Sequence, residues 1–140
     1  MLAKVARVAL ACAALACQPS SAEPRFSVAG GVASRAPDAI AQYGCGSCHV
    51  IPGVSGANGR VGPPLTDFGD RAYIAGRARN EPELLVRWLL VPQSIDPETV
   101  MPPTGLSDSE ARDIAAYLYT LTSDRLGPPH LLPRSWLPTH

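Results

Sequence analysis

Two cysteines and a histidine stand together in the run Cys45-Gly46-Ser47-Cys48-His49. Two thiols three positions apart on a tight turn can both bond one edge of a rigid partner. The imidazole that follows can reach a metal held by that partner from the same side. The one methionine besides the initiator, Met101, lies 52 residues further on, within Val100-Met101-Pro102-Pro103. Its thioether is a soft donor, and the prolines after it stiffen the strap that carries it. Sulfur and imidazole donors in this pattern point to redox chemistry at a metal.

C-x-x-C-H is the attachment pattern of haem c. The cysteine spacing places both sulfurs along one porphyrin edge, where they form thioethers with the two vinyl groups. His49 is then one iron ligand and Met101 the other, leaving no open coordination position. A neutral thioether favours reduced iron and raises the potential. Gly44 and Gly46 are expected to let the backbone approach the macrocycle. Other readings of the cysteines are weaker. A structural zinc site wants two more ligands at similar spacing, and there is no second C-x-x-C. His130 and His140 lie in a proline-rich stretch. A thioredoxin-like pair belongs at a strand-to-helix junction. A Cys45–Cys48 disulfide gives His49 no role. For Met101 the plain alternative is apolar packing.

The chain has 140 residues, enough for one domain with a modest core. Aromatics are only 6% and prolines number 15, so a buried cofactor would supply much of the core. Net charge is zero, with no basic patch of the kind nucleic-acid binding requires. Residues 1–22 read as an export signal: Lys4 and Arg7 precede a short apolar run, Val8 to Ala16. That run is too short for an ordinary membrane span of roughly 20 residues. Cleavage falls either before Glu23, after Ser20-Ser21-Ala22, or before Cys17, in a lipobox-like Ala14-Leu15-Ala16-Cys17 that would place a lipid anchor on Cys17. Either removes Cys12. Removal of residues 1–22 leaves ten arginines, no lysine and twelve carboxylates, a net charge of about −2. Long-range electrostatic steering is then weak.

The elements that must position these donors are helical, so the fold class is all-α with three main helices. Residues 36–44 suit a short helix ending at Gly44, with Pro37 and Asp38 in its first turn. Residues 81–91 suit a second, with Asn80 as N-cap, Glu83 closing a capping box, and Leu84, Leu85, Trp88 and Leu89 on one face before Pro92 stops it. The third starts at Ser107 with Glu110 closing its capping box. Its apolar stripe is Ala111, Ile114, Ala115, Leu118 and Leu121, bordered by Tyr117. Both stripes read as core packing. The stretch between motif and second helix reads as loop. Within it, Gly62-Pro63-Pro64-Leu65 is either an ordinary turn or a rigid acceptor for the second ring nitrogen of His49. Tyr73, Arg77, Arg79 and Trp88 are candidates to meet haem propionates, Arg77 and Trp88 foremost, though each also suits a surface or core position. Residues 123–140 read as a proline-rich, extended C-terminal tail that lies across the domain or docks on a partner.

On these residues the chain resembles the class I c-type cytochromes over residues 34–122. Cys45, Cys48 and His49 match the attachment motif, and Met101 matches the axial methionine. Gly62-Pro63-Pro64-Leu65 is similar to the family's Gly-Pro-x-Leu stretch, which implies that Pro63 accepts the histidine N–H and that Pro63 and Leu65 belong to the haem site. The resemblance implies a small cytochrome c fold wrapped around one covalent haem. It also implies a crossing of first and last helices, with Ala36 or Pro37 at the small position and Ile40 or Ala41 where the family has an aromatic. A narrower likeness runs from Tyr43 through Leu65, then Asn80-Glu81-Pro82-Glu83 and Trp88. It resembles the haem c domain fused to subunit II of bacterial haem-copper oxidases, which passes electrons to the oxidase. No copper-binding sequence precedes it here, so the expectation is a stand-alone version with a similar partner.

The expected function is therefore a monohaem carrier of single electrons, not an enzyme. It would act in an exported, periplasmic respiratory chain or on the outer face of the bacterial cytoplasmic membrane. Its partners would be redox donor and acceptor proteins, with a membrane oxidase complex foremost. The alternative is a peroxidase-like enzyme or gas sensor with an exchangeable sixth ligand.

Overall fold

The structure, a computed structural model, describes residues 25–126. The leader, Cys12 and Cys17, and the tail from residue 127 onward lie outside the described residues. Helix α1 is Ala36–Gln42, α2 Pro82–Leu90, α3 Asp108–Thr120 and α4 Ser123–Leu126. A two-residue hairpin, β1 Tyr73–Ile74 against β2 Ala78–Arg79, pairs antiparallel within the stretch expected to be loop. Helix α4 replaces the start of the expected extended tail, because no proline falls before Pro128.

Helix α3 forms as its sequence dictates. The Ser107 hydroxyl accepts the Glu110 N–H at 3.3 Å and the Glu110 carboxylate accepts the Ser107 N–H at 2.9 Å, closing the capping box. Its stripe of Ala111, Ile114, Ala115 and Leu118, with Leu121 beyond the end, is buried. Helix α1 crosses it through Ala36 and Ile40, both fully buried, while Pro37 is half-buried and Ala41 exposed. Small side chains at Ala36, Ala111 and Ala115 let the two backbones approach. Gly44 follows α1 at φ +68°, the left-handed conformation that glycine adopts without steric cost, and turns the chain into the motif.

Helix α2 starts differently from expectation. Its N-cap is Glu81 in extended conformation, with no side-chain cap. Asn80 is buried instead. Its amide donates to the carbonyls of Phe68 (3.1 Å) and Arg71 (3.0 Å), and its oxygen accepts from the Tyr119 hydroxyl (3.0 Å). Buried carbonyls without donors are costly, so three remote partners outcompete a local cap. Glu83 pairs with Arg112 of α3 at 2.9 Å rather than closing a box. The buried face of α2 is Leu85, Val86 and Leu89, with Leu84 and Trp88 half-buried beside it.

The packed unit also reaches upstream of the expected boundary at residue 34. Val28 is buried in the core, the Phe26 ring packs 5.1 Å from that of Tyr119, and the Val32 N–H donates to buried Asp113 at 2.6 Å. A Cβ on Gly31 would lie 2.5 Å from the Arg112 carbonyl oxygen, so this segment sits on α3 only because residue 31 is glycine.

Candidate functional site

The motif occupies a single 3-10 turn, Cys45–Ser47, directly after left-handed Gly44. The His49 N–H bonds the Cys45 carbonyl at 3.0 Å and the Cys48 N–H bonds it at 3.2 Å, so the turn holds both cysteines and the histidine in one rigid piece. Cys45 and Cys48 are half-buried and not joined to each other. Burial pushes the Cys45 thiol up, the reverse of what an activated thiolate needs.

The loop after the motif folds back under it. The Gly59 N–H donates to the Gly46 carbonyl (2.9 Å), the Gly62 N–H to the Cys48 carbonyl (2.8 Å), and the Leu65 N–H to the Val50 carbonyl (2.8 Å). These approaches leave no room for side chains. A Cβ on Gly46 would sit 2.6 Å from the Ala57 Cα, one on Gly59 2.2 Å from the Ser47 carbonyl oxygen, and one on Gly62 2.3 Å from the His49 ring. Gly46 is thus required by the close approach of Ala57, and Gly44 by its left-handed backbone.

His49 Nδ1 lies 2.8 Å from the Pro63 carbonyl oxygen. A carbonyl only accepts, so Nδ1 carries the proton and the Nε2 lone pair is left for another partner. Arg71 braces the next residue, donating to the Pro64 carbonyl while pairing with Asp67 at 2.8 Å. Leu65 is half-buried against the core.

Met101 sits on a second loop, half-buried against the same core. Three side chains tie this loop down. Gln93 donates to the Met101 carbonyl at 2.9 Å, Thr99 accepts the Met101 N–H at 3.2 Å, and Thr104 donates to the Leu89 carbonyl at the end of α2 at 2.7 Å. Neither Gln93 nor Thr104 stands out in sequence; only the polar character of these residues beside a proline strap was a signal.

Of the four propionate candidates, Tyr73 and Arg79 are exposed on the hairpin. Arg77 is exposed and faces Asp96 (3.7 Å) and Glu98 (3.8 Å) of the Met101 loop. Trp88 is half-buried beside the core.

The donor set fits haem: two separate thiols on one turn, an imidazole with a free Nε2, one thioether, and half-buried Leu65, Trp88 and Met101 at the core's edge. Among the described residues no three His, Cys, Asp or Glu gather as a metal-binding group of protein atoms alone.

Comparison with known proteins agrees. The family model described as cytochrome c matches residues 36–122. Cytochrome c oxidase subunit 2 of Alkalihalophilus pseudofirmus is 37% identical over 78 residues, covering 55% of this chain and 22% of that protein. The subunit 2 of Bacillus sp. (strain PS3) is 34% identical over 88 residues, covering 60% and 25%, and that of Bacillus subtilis 33% over 97 residues, covering 66% and 27%. The chain thus spans about a quarter of the length of these relatives. No solved structure matches it significantly. With a match running from α1 through α3, over a three-helix fold with little sheet, the chain belongs to the cytochrome c family and carries covalently bound haem c.

Proposed function

We propose that this chain is a one-electron carrier whose haem is held by Cys45 and Cys48 and ligated by His49 and Met101. Bound there, haem supplies an iron couple that takes up and gives back one electron. The single observation that carries the reading is the Nδ1–H of His49 on the Pro63 carbonyl at 2.8 Å. That bond orients the ring, makes Nε2 the ligand atom and raises its basicity. Met101, tied by Gln93 and Thr99, closes the second position against exchangeable ligands. Leu65 and Trp88 exclude water from the site's edge. Arg77, beside Asp96 and Glu98, would act on the propionates only by exchanging these partners.

The setting we propose is an exported respiratory chain, with residues 1–22 as the leader and Cys17 or Glu23 as the mature N-terminus. No helix among the described residues is long and apolar enough to cross a membrane. The likeness to cytochrome c oxidase subunit 2 supports a membrane oxidase as electron acceptor. Val61 (76% exposed) and Val100 (90% exposed) flank the two ligand loops. They support a partner contact that is apolar, with electron-transfer rates that change little with salt.

The test is carbon monoxide binding to the reduced protein. The wild type is expected to leave its spectrum unchanged, and Met101→Ala to bind the gas. Wild-type binding, or peroxidase turnover equal to that of Met101→Ala, would instead establish an open haem enzyme or sensor. Mass spectrometry of the mature N-terminus separates a diacylated Cys17 from a free Glu23.

A further inference from the structure

A second cleft has none of Cys45, Cys48, His49 or Met101 in its lining, though it includes Tyr73 and Arg79, two of the propionate candidates. Phe26, Tyr119 and Phe68 form one aromatic cluster, with Tyr119 5.1 Å from the first ring and 6.2 Å from the second, centroid to centroid. Each phenyl ring carries a guanidinium: Arg25 stands 5.3 Å from the Phe26 centroid, and Arg71 5.5 Å from that of Phe68. Beside them opens this cleft of about 330 Å³, which Arg79 of β2, Tyr73 of β1 and Asn80 also line. The Asn80 amide is already committed to Phe68, Arg71 and Tyr119, so it forms wall rather than donor. Glu81 is the one carboxylate among the residues that line the cleft. Asp67 is paired with Arg71, and among the described residues Arg25 and Arg79 have no carboxylate within ion-pair distance.

This is a local excess of positive charge on a chain of zero net charge. Arg71 already commits its Nη2 to the Pro64 carbonyl and Asp67, so the available forks are those of Arg25, held in place over the Phe26 ring, and Arg79. A planar guanidinium fork matches the two oxygens of a carboxylate or phosphate. We infer that the cleft binds a small dianion carrying carboxylate or phosphate groups. The anion joins Arg25 of the N-terminal segment to Arg79 of the hairpin.

The experiment is a titration of the reduced, isotope-labelled holoprotein with sodium succinate, with inorganic phosphate, and with sodium chloride at matched ionic strength, followed by amide NMR. Saturable shifts centred on residues 71–81 are expected with the dianions and not with chloride. Arg25→Gln combined with Arg79→Gln should weaken binding about tenfold, as loss of two exposed charge-assisted contacts predicts. Exposed Arg35 lies outside the cleft, and Arg35→Gln should change nothing. The inference fails if chloride reproduces the shifts, if they do not saturate, or if the double variant binds as the wild type does. It fails equally if the holoprotein shows no shift, as when the haem's own carboxylates fill the cleft. The visible spectrum of each variant confirms its fold.

Discussion

The two loops that present His49 and Met101 are built in opposite ways. The histidine side is held by backbone: Gly46, Gly59 and Gly62 let strands of chain touch, and bonds of 2.8–2.9 Å run directly between main-chain atoms. The methionine side is held by side chains, with Gln93, Thr99 and Thr104 reaching across an otherwise irregular loop. Main-chain contacts at van der Waals limits leave no alternative arrangement. Side-chain bonds at a half-exposed loop compete with water and break singly. The difference teaches that, as the proposed ligands, His49 is the fixed one and Met101 the one expected to let go first.

The sharpest way to break this comparison is a methyl group on the rigid side. Gly62→Ala would place a Cβ 2.3 Å from the His49 ring, so the ring and the Pro63 carbonyl lose their alignment. The expected outcome is loss of the low-spin haem spectrum and a stability loss of about 3 kcal/mol or more, read by denaturant unfolding. Next is Thr104→Val, which removes the bond to the Leu89 carbonyl. A loss of about 1 kcal/mol is expected, with little change in the histidine environment but easier displacement of Met101 by cyanide or at high pH. If Thr104→Val disturbs His49 as much as Gly62→Ala does, the two loops are one mechanical unit. Gln93→Ala should act in the same direction as Thr104→Val and through the same readout, with an effect of about 0.5–1 kcal/mol.

The smallest effect is a pH dependence at the junction of the two sides. The Tyr43 hydroxyl, two residues before the motif, donates to Glu110 at 3.0 Å, and Glu110 also closes the cap of α3. The Ser107 hydroxyl and N–H, with Tyr43, hold the Glu110 carboxyl below its usual range. A carboxyl depressed in the folded state adds stability above its unfolded pKa, about 4.3. That stability is lost as pH falls through the lower folded value. Glu110→Gln should therefore flatten part of the acid limb of stability between about pH 4.3 and that value, while leaving neutral-pH spectra unchanged. An acid titration of melting temperature checks it.

Much of this was legible in the residues because it is local. The Cys45–His49 motif is five consecutive positions, and its turn needs only Gly44 before it. The capping box of α3 joins residues three apart, and its stripe follows the helical period, so Ser107, Glu110 and Leu118 lie as their spacing implies. The bond of His49 to Pro63 was one of two readings of the Gly-Pro-Pro-Leu stretch from the residues alone, and only the family likeness favoured it over an ordinary turn.

What tertiary structure alone decided involves partners distant in sequence. Asn80 has the composition and position of a cap, yet three polar groups from Phe68, Arg71 and Tyr119 claim it, because leaving them buried and unpaired costs more than an uncapped helix. Gly31 and Gly59 are ordinary loop glycines until the backbones of Arg112 and Ser47 arrive against them. Phe26 and Val28 carry no period, and only the face of α3 makes them core. The chain by itself determines the haem-binding chemistry, because covalent attachment needs a motif and little else. How firmly His49 and Met101 are held is decided by bonds between residues up to 15 positions apart, and those exist only once the chain has folded.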